Sequence, residues 1–97
     1  MALFEWDPGK ARTNQQKHGV SFEHAAHVFE DPYALFEQDR TGETGELRWQ
    51  VLGLVGGVAV LLVVHTVREE NADEVIRIIS ARRATREERN RYEQTRS

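Results

Sequence analysis

Hydrophobic positions cluster in one block. From Leu47 to Arg68 the chain reads LRWQVLGLVGGVAVLLVVHTVR, with no charge between the two end arginines at 48 and 68. A membrane helix needs about 20 predominantly apolar residues, and this block reaches that length only by counting Gln50, His65 and three glycines. Its many valines favour strands instead, because a branched Cβ is stiff. Gly56-Gly57 supplies the positive φ angles of a two-residue hairpin turn. The pattern therefore predicts two antiparallel strands, 47–55 and 58–67. With the glycines as the turn, Val55 faces Val58 and Arg48 falls opposite His65. Strand alternation then gives Arg48, Gln50, Leu52, Leu61, Val63 and His65 one face. Leu47, Trp49, Val51, Leu62, Val64 and Thr66 take the other, with Arg68 just beyond.

The flanking pattern supplies the remaining elements. Leu3-Phe4-Glu5-Trp6 alternates and reads as a short strand. Asp7-Pro8 opens a helix that runs to His18, where Gly19 takes the left-handed end position. Ser21 caps a second helix with Phe22, Ala25, Ala26 and Phe29 on its apolar side, closed by Asp31-Pro32. Tyr33–Gln38 is a short strand and the polar stretch 39–46 a mobile loop. Residues 68–73 form a turn before a strong strand, Glu74–Ala81. Thr85 and Glu88 make a capping box for a final helix reaching Thr95. Tyr92 is its only large apolar anchor, so residues 83–97 are expected to be loosely held. The order β-α-α-β-β-β-β-α is α+β, a mostly antiparallel sheet with two N-terminal helices on one face and a C-terminal helix. One domain, 1–97, with no repeat or linker, accounts for the chain.

Composition narrows the partners. With 39% hydrophobic and 30% charged residues, the chain has a globular balance, and no cysteine is present for disulfide or thiolate chemistry. The N-terminus shows no basic segment followed by an apolar stretch, so a cytoplasmic protein with no membrane role is expected. The formal charge of −3 argues against a globally basic nucleic-acid binder. Charge is segregated, however: residues 23–46 carry a net −6 and residues 77–97 a net +4. A basic end can still grip phosphate locally.

Five segments together resemble the BrnT toxins of bacterial type II toxin–antitoxin systems. They are Phe4-Glu5-Trp6-Asp7, Lys17-His18-Gly19-Val20-Ser21-Phe22-Glu23, Glu46-Leu47-Arg48, Thr66-Val67-Arg68, and Ile76-Arg77-Ile78-Ile79-Ser80-Ala81-Arg82. The resemblance implies a RelE-like ribonuclease fold and an RNA-cleaving toxin that blocks translation. It also implies neutralisation by a ribbon-helix-helix antitoxin, with operator DNA contacted only through the complex. RelE-like toxins are typically basic; the acidic balance here is what an alternative reading draws on, a degenerate, non-catalytic toxin serving as corepressor.

The chemistry expected of such a toxin selects residue types. Cleavage by the RNA 2′-hydroxyl needs a base, cations on the phosphorane oxygens, and an acid for the leaving oxygen. Arginine forks suit the cations and imidazole the proton transfers. Arg48, Arg68, Arg77 and Arg82 are the phosphate-holding candidates and His65 the proton-transfer candidate. Each has a plainer reading: strand-end arginines form surface ion pairs, and a histidine after an apolar strand is a satisfied core-edge residue. Lys17 and His18 either complement the helix dipole or line the site, and Tyr92 is a further site candidate. The final helix's arginines bind RNA, pair with an acidic antitoxin, or pair with Glu87, Glu88 and Glu93. His24 and His27 have metal-binding spacing but no third ligand, so neither a metal nor any other cofactor is expected.

Overall fold

The computed structural model describes residues 2–39 and 47–96; residues 40–46 of the expected loop, Glu46 included, lie outside the described residues. Strand β1 (Ala2–Glu5) leads into α1 (Pro8–His18) and α2 (Phe22–Ala25), which continues as a 3₁₀ helix, Ala26–Glu30. Then come β2 (Leu35–Asp39), β3 (Arg48–Val55), β4 (Ala59–Glu70), β5 (Asp73–Arg83) and α3 (Arg86–Arg96). The sheet order is β1-β5-β4-β3-β2, with β1 parallel to β5 and every other pair antiparallel.

Local chemistry sets the helix ends. Asp7 accepts the Lys10 N–H at 2.9 Å, Pro8 opens the first turn, and Gly19 closes α1 at φ 70°. The Ser21 hydroxyl accepts the His24 N–H at 3.1 Å. Thr85 and Glu88 close a reciprocal capping box at 2.8 and 3.2 Å. Two apolar layers sandwich the sheet. On one face Val20, Phe22, Ala25 and Val28 pack on Val51, Val55, Leu61, Val63, Ile78 and Ala81. On the other, Tyr92 of α3 packs on Leu52, Val60 and Leu62.

The hairpin forms, but not in the expected register. Gly56 and Gly57 adopt φ 63° and 68°, and the Val58 N–H donates to the Val55 carbonyl at 3.2 Å. The ladder nevertheless closes on Ala59, leaving Val58 as an extra, exposed residue. Trp49, not Arg48, therefore opposes His65. Because side chains alternate, that single residue moves the whole of β3 to the opposite side relative to β4. A second correction concerns the expected turn at 68–73: β4 runs on to Glu70, and only Asn71 and Ala72, at φ 52° and 68°, make the turn.

Two polar side chains fasten helices to the sheet. Beyond Arg77, β5 no longer pairs with β1. Asn14 of α1 takes the strand's place there, donating to the Ala81 carbonyl at 2.8 Å and accepting the Ala81 N–H at 3.1 Å, with a second donation to Val20. Asp31 accepts the Leu54 N–H at 2.8 Å, the Tyr33 N–H at 2.9 Å and the Tyr92 hydroxyl. Burial pushes the Asp31 carboxyl up, but the three donors together outweigh it and hold the group below its usual value. The polar composition of α3 predicts loose attachment; the structure ties it down through the fully buried Tyr92, the Arg82–Glu88 pair and an Arg91–Glu37 pair at 3.3 Å.

Candidate functional site

The register assigns each candidate side chain to a face. Arg48 lies beside Gln50 and Leu52 on β3, and Arg68 beside Thr66 on β4. Thr66 opposes Arg77, and Leu62 opposes Arg82, on β5. All four arginines thus share the sheet face that α3 partly covers. Two irregularities bring this about. Val58 in the hairpin sets Arg48 on the side of Arg68. In β5, Val64 pairs with Ser80 while His65 pairs with Ile78, so Ile79 is unopposed. Arg77 and Arg82 stand five positions apart and would face opposite ways on a regular strand; that bulge restores them to one side.

Glu5 organises the face at its β1 edge. Its two oxygens accept Arg68 Nη1 and Nη2, both at 2.8 Å, and one also accepts Arg77 Nη1 at 2.9 Å. Glu70 takes Arg68 Nε and Nη2 at 3.1 and 2.9 Å. The hydrogen bonds from Arg68 and then Arg77 hold the Glu5 carboxyl down at about 2, and the same contacts raise the Arg68 guanidinium. Arg82 forms a fork with Glu88 at 2.8 and 3.0 Å, which holds that carboxyl at about 2. Arg48 differs from the other three. Its Nε is buried, and among the described residues it finds no hydrogen-bond partner.

His65 is on the other face. It is 1% exposed and packs edge-on against Phe29, with ring centroids 4.8 Å apart, and against Phe36 at 6.2 Å. Burial lowers its basicity; the Val63 carbonyl, 3.4 Å from Nδ1, opposes this weakly. The expectation that Arg48 and His65 share a face, with Arg68 opposite, is therefore reversed. Tyr92 is also separate from the cluster: it is fully buried, and burial with the Asp31 contact pushes its hydroxyl up to about 12.

Lys17 and His18 are exposed and line a groove of about 520 Å³ between α1 and the β5 bulge, with Lys10, Arg12, Ile79 and Ser80. Ser80 belongs, by register, to the arginine face. His27 pairs with Glu30, and among the described residues no group of three metal-ligating side chains occurs. Glu5 and Ser80 escaped the sequence reading as site residues. Glu5 becomes visible only once β1 is known to run parallel to β5, a long-range pairing with no local signature.

Comparison with known proteins converges on one family. The family model described as ribonuclease toxin, BrnT, of type II toxin-antitoxin system matches residues 6–88. The 1.1 Å crystal structure of the Brucella abortus ribonuclease toxin, BrnT, is similar with a TM-score of 0.58 and 23% identity, over 89% of this chain and 99% of that one. At that identity the likeness is one of fold, a mixed α+β structure with a five-stranded sheet and three helices. No curated protein matches the chain. The family match spans every sheet arginine described above, and the chain belongs to the BrnT ribonuclease toxin family of type II toxin–antitoxin systems.

Proposed function

We propose that this chain is an endoribonuclease whose phosphate-binding surface is the arginine face of the sheet. The observation that carries the reading is the assembly of Arg48, Arg68, Arg77 and Arg82 on one side by two one-residue irregularities. In this reading the RNA 2′-hydroxyl attacks the adjacent phosphorus, the 5′-oxygen departs, and the products are a cyclic phosphate and a free 5′-hydroxyl. Arg68 and Arg77 bind the non-bridging oxygens in place of the Glu5 carboxylate, which has the planar, two-oxygen shape that a guanidinium fork matches. Arg48 brings to the same side a buried Nε that has no partner among the described residues. Our candidate imidazole for the proton transfers is His18, which shares a groove with Ser80, in place of the buried His65.

The family supports an antitoxin as partner; in our reading RNA is the substrate, the antitoxin is of the ribbon-helix-helix type, and operator DNA is bound only by the complex. A second reading has its own support. Three of the four arginines are already ion-paired, which fits a non-catalytic corepressor. Expression of the chain alone in bacteria separates the two. Under the nuclease reading the wild type arrests growth, and Arg68→Ala or Arg77→Ala lowers RNA cleavage by the purified protein about 10²–10³-fold, the loss typical of removing one transition-state donor. A wild type that leaves growth and RNA untouched, yet tightens operator binding by the antitoxin, selects the corepressor.

A further inference from the structure

We infer that the groove beside α1, which also carries His18, extends the RNA site as a cationic channel that holds the backbone phosphates flanking the cleaved one. The inference rests on the ribonuclease reading and adds to it where the strand outside the arginine face is carried. Its basis is where uncompensated positive charge lies. On the sheet, Arg68, Arg77 and Arg82 are neutralised by Glu5, Glu70 and Glu88. On α1 the situation is opposite. Its sequence, PGKARTNQQKH, has three cations and a histidine and no acid. Lys10, Arg12 and Lys17 line one groove, and among the described residues no carboxylate forms an ion pair with any of them. The one acid in the groove, Asp7, is occupied as the helix cap.

In a chain of net charge −3, three cations against one acid make a local reversal of sign, and a surface with an excess of one sign concentrates oppositely charged ligands. The groove's position fits a strand passing to the arginines. Its sheet wall is Ile79 and Ser80, and Ser80 lies on the arginine face between Arg77 and Arg82. Asn14 fixes α1 to β5 at Ala81, so the channel and the sheet arginines are held in one rigid frame. A single-stranded polyanion fits this arrangement: exposed, long-stemmed cations track a backbone without demanding a base sequence.

The test uses a short RNA made uncleavable by 2′-O-methyl groups, with binding followed by fluorescence anisotropy from 50 to 200 mM salt. Wild type is compared with Lys10→Ala/Arg12→Ala/Lys17→Ala, whose three side chains are exposed. Loss of three phosphate contacts on a single strand should weaken binding at least tenfold at low salt and flatten the log–log salt slope by about 2. The charge-conserving Lys10→Arg/Lys17→Arg protein should bind as wild type does. A triple variant with unchanged affinity and slope overturns the channel, and leaves the nuclease reading intact if the wild type still cuts RNA. Unchanged RNA binding with lost antitoxin binding also overturns it and gives the groove to the antitoxin. A wild type that neither binds nor cuts RNA sinks the channel and the nuclease together.

Discussion

A carboxylate gripped by two guanidinium groups is a poor proton acceptor at neutral pH, and Glu5 illustrates what such a residue does instead. It fixes Arg68 and Arg77 side by side, at 2.8 and 2.9 Å, before any ligand arrives. His65 shows the converse, a titratable group whose environment suppresses its charge. Its basicity is lowered by burial, so the unfolded chain takes up the proton more readily than the folded one. Stability from this residue is intact above the ordinary imidazole value of about 6.5, and drains away as pH falls below it towards the depressed native value. His65→Phe should therefore flatten the fall in urea midpoint between pH 6.5 and 5 while leaving RNA cleavage in place. Cleavage abolished in the folded variant would return His65 to the chemistry. Its burial was half legible in the sequence, where it follows the strand VAVLLVV, but the side it faces depends on a count of residues in a turn.

At the level of elements, the caps were readable because each is a local exchange between a side chain and a backbone a few positions away. Asp7, Gly19, Ser21 and Thr85 all do what their residue types favour. The strand register was not readable, since either a two-residue or a three-residue connection can be built around two glycines. Gly53 was missed for a similar reason. A Cβ there would come within 3.0 Å of the Val28 carbonyl and Cβ, a close approach between β3 and the 3₁₀ helix that exists only after folding. Asn14 was hidden too, as a polar residue in a polar helix. Its amide completes the hydrogen bonding of Ala81, so Asn14→Leu leaves a buried N–H and two carbonyls without that partner. The cost should be about 2–4 kcal/mol in chemical denaturation. A loss below about 0.5 kcal/mol would show that α1 is held to β5 by packing alone.

For the molecule as a whole, net charge is a misleading average. An acidic chain carries a positive channel on one helix and a set of internally balanced arginines on its sheet. Two of the balancing acids, Glu5 and Glu88, titrate near 2 instead of the usual 4.5. Depressed carboxylates lend stability above their unfolded value and lose it as pH drops towards the folded one, so acid unfolding should steepen between about pH 4.5 and 2. Following circular dichroism through that range should show a shallower limb for Glu5→Gln/Glu88→Gln than for wild type; parallel curves would refute the assignment. Family membership was legible at this scale because the five short segments keep their order along the chain. The gathering of the arginines was not, since it depends on pairing between distant strands.

The extra residues at Val58 and Ile79 make the arithmetic of chain length part of the chemistry. An ordinary strand keeps its inside and outside under almost any exchange of letters, because odd and even places stay odd and even. Here two single insertions reset that parity, and the deletion of either would turn a guanidinium to the opposite side of the sheet while leaving every remaining amino acid unchanged. Such a surface tolerates misspelling better than miscounting.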